Sequence, residues 1–412
     1  MQTKKNIWII DPYGEIPKSD WRDGRYFLMA KQLSQAGHNV VLFISNFSHR
    51  TKKYSYERDE MFLIQNISFH VVPSCSYESN ISYARIKFER QFIKNMLDYV
   101  ENIDLPDCII LRDPALFISK PIVRFCKINF IKLVVDIIDL WPELFELVLP
   151  KYLQFMGKFI FLPLYLRRRS LLKNSDAVVA VAPDYLDIAR KINPNIPSDV
   201  IYWGCNLSKI KEIINSKSND ALKYFDLSKG EEDFWVIYAG SLGEFYDIKS
   251  IAEVAKKIEF SNSNVKFFIA GAGPLENWIT NYISINKPSN FTYLGSLKTD
   301  VLFSLFKFCD IGLSTYADKS TISMPIKCYD YFGAGLPIVN SLGRNLGFIV
   351  RENMLGLQYI PEDVDSLASS IVKLVNEPEL YSMMRSNVLK QAKIFDNDVQ
   401  YSKIKELVNS LF

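Results

Sequence analysis

The chain has 412 residues, enough for two or three domains at about 100–200 residues each. At 48% hydrophobic and 23% charged residues it is not disordered, collagenous or coiled-coil. Lys+Arg 49 against Asp+Glu 46 leaves a net charge of +3, which excludes the basic footprint of a nucleic-acid-binding protein.

The first apolar run, residues 7–10, turns polar at Asp11 and is too short for a signal-peptide core, so a cytoplasmic chain is expected. Six scattered cysteines without a CxxC pair, and three histidines, fit a reducing compartment and argue against a zinc site or a disulfide framework. His38, in a turn entering a strand, and His70, within a strand, read as structural. Runs 7–10, 40–44, 108–111, 132–137 and 177–181 read as buried parallel strands. Segments 22–35, 84–100 and 184–192 have helical spacing. Gly37 suits the left-handed position that ends the first helix. Residues 151–173 carry six basic and no acidic residues, with Lys158 and Pro163 interrupting the apolar positions. Two readings stand: a basic, aromatic patch lying on an anionic membrane surface, or a helix packed on its own domain with solvated arginines.

After an Asn-, Ser- and Lys-rich stretch from Cys205 to Gly230 the alternation restarts, with strands at 234–240, 265–273, 291–295, 309–314 and 336–341. The intervening helices are predicted at 248–258, from Pro274, at 299–308 and around 325–333. An amphipathic segment, 397–411, is expected to cross back and pack on the first domain. The expected division is 1–205 with 397–412, and 206–396. Both halves predict doubly wound α/β sheets, facing each other across a cleft.

AGSLGE (239–244) and AGAGP (270–274) place Gly240, Ser241, Gly243, Gly271 and Gly273 directly after strands. Backbone approaches ligands closely there, although tight turns need the same residues. In 320–339, Thr321 or Ser323 is positioned to cap a helix with Pro325 in its first turn. The free amides of that turn suit a diphosphate, Lys327 adds a charge, and Asp330 is placed to accept bonds from ribose hydroxyls. A capped core helix is the plainer alternative. In the first half, Gly14, Arg22 and Arg25 lie in the loop after the first strand. The arginines face donor or acceptor phosphates, or pair with Asp20 and Asp23. Asp139 follows a strand and is the candidate to take or orient an acceptor hydroxyl's proton, with Glu143 second. Asp363 and Asp365 open a helix and read as dipole and cap residues, so no metal is expected.

IAGAGPLENW, FTYLGSLKTDVLFSLFKFCDIGLSTY and MPIKCYDYFGAGLPIV, with GRYFLMAKQLSQAGHNVVLFIS and VVDIIDLWPELF in the first half, resemble retaining glycosyltransferases of family 4. The DLWPE segment resembles the family's bacterial surface-polysaccharide branch. The resemblance implies a GT-B fold of two Rossmann-like domains, the acceptor on the first and the donor on the second. It implies transfer of a sugar with retention, without metal or cofactor, from a nucleotide-diphosphate sugar, a UDP-sugar foremost. The acceptor would be a hydroxyl of a glycan or of a polyprenyl-diphosphate-linked oligosaccharide, on the inner face of the plasma membrane. It also implies donor contacts at Gly240, Ser241, Gly243, Lys249, Gly271, Gly273, Leu297, Ser323, Met324, Pro325, Lys327 and Asp330. The chain departs from the family's Glu-x7-Glu pair, where it has Ile322 and Asp330. Tyr246 stands where a lysine usually follows the first glycine loop, with Lys249 a turn further on. A nucleotide-sugar 2-epimerase of the same architecture and a non-catalytic sugar-nucleotide-binding partner are the alternatives.

Overall fold

A computed structural model describes all residues except 1–2, 18–21, 58, 101–102 and 217–219, and all but the side chains of 147, 148, 151, 216 and 220 within helices. The chain divides into two compact units, Met1–Tyr202 with Tyr401–Phe412, and Trp203–Gln400.

The first unit holds β1 (Asn6–Ile10), β2 (Asn39–Ser45), β3 (Met61–Ile64), β4 (Ile67–Val72), β5 (Cys108–Asp113), β6 (Lys132–Ile137), β7 (Ala177–Ala180) and β8 (Ser198–Val200). Their order is β3-β4-β2-β1-β5-β6-β7-β8, and every pair is parallel except β3 with β4. The apolar runs become strands because helices cover both faces of the parallel sheet, so each strand side chain meets a core. The β3–β4 hairpin escapes a search for buried runs because β3 lies half-exposed at the edge. Its turn places Gln65 and Asn66 at φ 51° and 62°, the left-handed pair of a two-residue hairpin turn.

The last helix, Asn397–Asn409, buries Tyr401, Ile404 and Val408 in the first unit's core with Tyr26, Leu33 and Ile44, as the amphipathic spacing predicts. Arg25 opens the helix Arg25–Gln35 and is buried in the same region. It donates to both Asp136 oxygens at 2.7 and 2.8 Å and to the Ile201 carbonyl at 2.7 Å.

The second unit is a six-stranded parallel sheet ordered β11-β10-β9-β12-β13-β14. These strands are β9 (Phe234–Ala239), β10 (Val265–Ala270), β11 (Phe291–Gly295), β12 (Ile311–Ser314), β13 (Ile338–Asn340) and β14 (Gly356–Gln358). β8 and β14, three residues each, are too short for a periodicity signal.

Segment 151–173 is not one helix. It forms a 3-10 turn, Lys151–Met156, and helices Gly157–Ile160 and Leu162–Lys173, the last with Pro163 in its first turn. Among the described residues no helix is long and apolar enough to cross a membrane.

Candidate functional site

In the second unit the strand order reverses between β9 and β12, the position where open α/β sheets bind ligands. The glycine loops after β9 and β10 lie back to back. Gly240 N–H donates to the Ala270 carbonyl at 2.9 Å and Leu242 N–H to the Ala272 carbonyl at 3.0 Å. A Cβ on Gly271 would fall 1.8 Å from the Gly240 oxygen, so neighbouring backbone already requires that glycine.

The helix Ile326–Gly333 is seated beneath this point by Tyr331. Ala239 N–H donates to its hydroxyl at 2.8 Å, and its ring lies where a Cβ on Gly312 would clash at 2.5 Å. Lys327, four residues earlier, shares that helix face. Its ammonium reaches the first glycine loop, 3.4 Å from where a Gly240 Cβ would be. Three rings surround it: Tyr238, Tyr316 and Tyr246, at 3.9, 4.7 and 5.0 Å from the centroids. Among the described residues Nζ has no hydrogen-bond partner, and neither has the buried Thr315 hydroxyl beside Tyr316. Ring faces stabilise a cation by only about 2 kcal/mol when desolvated. Burial therefore wins and lowers the amine to about 7. A buried, unpartnered amine beside helix amides suits an anionic ligand.

The N-cap position of the helix Ile326–Gly333 is taken by Pro325, at φ −76° and ψ 143°, so the proline stands before the first turn and not within it, and the cap position falls at neither Thr321 nor Ser323. Ser323 is buried, and its carbonyl accepts from Leu346 N–H at 3.0 Å. Lys249 is exposed over the Trp278 ring at 5.7 Å, while Tyr246 joins the lysine cage. Ser241 is exposed and its carbonyl accepts from the Tyr238 hydroxyl at 2.7 Å. Gly243 and Gly273 lie in the two loops, Leu297 is half-buried after β11, Met324 is buried, and Asp330 is half-buried one turn beyond Lys327. Asp363 caps its helix by accepting from Ser366 N–H at 2.9 Å, and Asp365 pairs with Lys257.

In the first unit a charged network fills the carboxyl ends of β1 and β5. Arg112 donates to Asp11 at 2.7 Å, the Tyr13 hydroxyl donates to Glu89 at 2.5 Å, and Arg85 donates to Tyr13 at 3.1 Å. The Arg85 guanidinium also lies 4.1 Å from the Trp141 ring centre. Sequence reading missed this network, although its signal is visible: Arg85 and Glu89 fall on the helical face that buries Phe88, Phe92 and Met96. His49 bonds Tyr77, and burial lowers its imidazole to about 3, so it stays neutral.

Asp139, two residues beyond β6, is exposed and accepts no hydrogen bond among the described residues. Surrounding protein raises its pKa, against the opposing charges of Arg112 and Arg85. Glu143 is held by Arg168 at 2.5 and 2.6 Å, and Arg168 also donates to the Trp141 carbonyl at 2.8 Å. Arg25 is corrected: its side chain is fully inaccessible against Asp136, so it does not stand on a surface open to phosphates. Asp20, one of its two expected loop partners, lies outside the described residues. Arg22 is half-buried near Tyr401, and Gly14 sits where a Cβ would fall 2.7 Å from an Asp11 carboxylate oxygen.

Residues 233–377 match the family described as Glycosyl transferases group 1. Over 372 residues the chain is 22% identical to chitobiosyldiphosphodolichol beta-mannosyltransferase of Candida glabrata, covering 83% of this chain and 79% of that one. Sucrose-phosphate synthase from Thermosynechococcus elongatus superposes with a TM-score of 0.75 at 15% identity, over 99% of both chains. An E. coli trehalose-6-phosphate protein bound with UDP-2-fluoro glucose gives 0.70 at 12% identity, over 98% of both. The chain has the GT-B glycosyltransferase fold.

Proposed function

We propose that this protein transfers a sugar from a nucleotide-diphosphate donor to a hydroxyl of a lipid-linked glycan. The carrying observation is the Lys327 ammonium, buried among three tyrosines without a partner at the sheet's reversal point. The donor's diphosphate meets Lys327 and the first amides of the helix Ile326–Gly333, and Asp330 meets the ribose. These groups carry the leaving group's charge without a metal ion. A lipid-linked acceptor is supported by the name of the Candida glabrata relative. Cell-surface polysaccharide synthesis is the setting the DLWPE segment suggests.

The relative's name changes the expected stereochemistry. A β-glycoside formed from an α-linked sugar nucleotide requires inversion, so we assign inversion in place of retention. Inversion needs a protein base on the acceptor side, and Asp139, exposed with a raised pKa, takes that role. Glu143 would first have to leave its Arg168 fork.

The reading is tested by incubating the full chain with labelled UDP- and GDP-sugars, with and without a polyprenyl-diphosphate-linked glycan. It predicts a lipid extended by one sugar, with UDP-sugars the first donors to examine. Isomerised sugar nucleotide formed without acceptor would establish the epimerase instead. Binding without either product would leave a non-catalytic partner.

Proton linkage gives a second check. With its amine at about 7, free Lys327 is largely neutral at pH 8, whereas a bound diphosphate holds it as ammonium. Binding therefore takes up a proton above pH 7, and affinity falls by up to about tenfold per pH unit there. Calorimetry at pH 8 in two buffers of different ionisation enthalpy should show this uptake, which vanishes at pH 6.

The membrane reading of segment 151–173 is supported by exposed Tyr152 (73%), Phe155 (80%) and Phe159 (77%), interleaved with exposed Lys158, Arg169 and Lys173. Arg168 is not part of this surface, since it is buried against Glu143. Phe155→Ser with Phe159→Ser should release the protein from anionic vesicles in a sedimentation assay without lowering its thermal stability. Unchanged binding would rule the surface out.

A further inference from the structure

Beside this surface the first unit contains a cavity of about 440 Å³, within the range of ligand pockets. Its walls include Leu116, Phe117, Trp141, Phe145, Phe161 and Leu164. Two features tell what this cavity takes. Its apolar lining continues into exposed side chains, Ile81 (48%) and Tyr83 (74%) on one side, and Ile160 (44%) and Leu162 (47%), flanking Phe161, on the other. The second feature is charge. The Phe117 ring has Arg167 at 4.8 Å and Arg90 at 5.3 Å from its centre, and neither guanidinium has a carboxylate partner among the described residues. Apolar walls with two uncompensated arginines at one wall fit an amphiphile with an anionic head and a hydrocarbon tail.

Two of the cavity's lining residues, Trp141 and Arg85, are linked to the carboxylate assigned as base. Trp141 is two residues from Asp139, and the Arg85 stacked on Trp141 is one of the two charges that act on Asp139.

We infer that the cavity binds the isoprenoid tail of the acceptor, with the linking diphosphate between Arg90 and Arg167. The inference rests on the proposed lipid-linked acceptor and adds where the lipid is held. The tail would reach the cavity from the apolar surface at 152–166, so an acceptor enters from the membrane without leaving it.

The test uses ligands without a sugar, so that its failure is distinct from failure of transfer. A short isoprenoid diphosphate and the matching isoprenoid alcohol are titrated against the full chain, following tryptophan fluorescence. The diphosphate should bind at least about tenfold more tightly than the alcohol. Leu164→Trp, which fills the cavity, should weaken both ligands. Arg90→Gln with Arg167→Gln should weaken the diphosphate and leave the alcohol unchanged. Thermal unfolding and nucleoside-diphosphate binding, unchanged in each variant, verify the fold. Equal affinity for diphosphate and alcohol, or undiminished binding by Leu164→Trp, overturns the inference. So does a parallel loss of vesicle binding in Leu164→Trp, because the cavity would then hold an acyl chain of the bilayer.

Discussion

Asp139→Asn will lower turnover by about 10²–10⁴-fold, the range for removing a general base, with nucleoside-diphosphate binding and thermal unfolding unchanged. The expectation combines three properties of the position. The carboxylate stands in the loop after β6, outside the hydrogen-bonded network of the first unit, so its loss leaves no buried partner exposed. Its side chain is accessible, as a base approaching a hydroxyl must be. Its pKa is raised by the surrounding protein, which strengthens it as a proton acceptor once ionised. The sign follows: activity is lost as pH falls through this raised value, since only the ionised form accepts a proton. Initial rates across pH, with a full limb in the wild type and none in the variant, check the assignment. A retaining enzyme, in which the departing phosphate takes the proton, would lose far less.

Arg25→Ala will destabilise the first unit by about 3–5 kcal/mol, the cost of leaving one partner of a buried ion pair behind. Both side chains are fully inaccessible, and the guanidinium also satisfies the Ile201 carbonyl and faces the Tyr401 ring at 5.7 Å. Removal therefore strands a carboxylate and a carbonyl and loosens the last helix at once. Urea unfolding measures the loss. Arg25→Met combined with Asp136→Leu should recover most of it, because an apolar pair of similar volume strands no charge. If the single variant unfolds like the wild type, the pair contributes nothing to stability.

The sequence made the scaffold legible where strands are buried on both faces: 7–10, 40–44 and 108–111 read as strands because every position is apolar. It was silent on β3, whose edge position leaves only partial burial, and on the three-residue strands β8 and β14. Lys327 was legible as a charge after a helix start, but its tyrosine cage was not. Tyr238 and Tyr246 flank the first glycine loop whereas Tyr316 follows β12, and only the fold of the second unit brings them together around the lysine. Arg25 misled for the converse reason. A loop arginine beside aspartates reads as solvent-facing, and its true partner, Asp136, is 111 residues away on β6. The acid-free run 151–173 hid a similar exchange, because the acid neutralising Arg168 lies outside it, at Glu143.

The central claim is that a donor diphosphate binds at Lys327. Titration calorimetry of a nucleoside diphosphate against the wild type and Lys327→Met tests it most directly, since methionine keeps the stem and removes the charge. The account predicts saturable one-site binding by the wild type and at least about a tenfold weaker Kd in the variant. Equal affinity in the two proteins would contradict it.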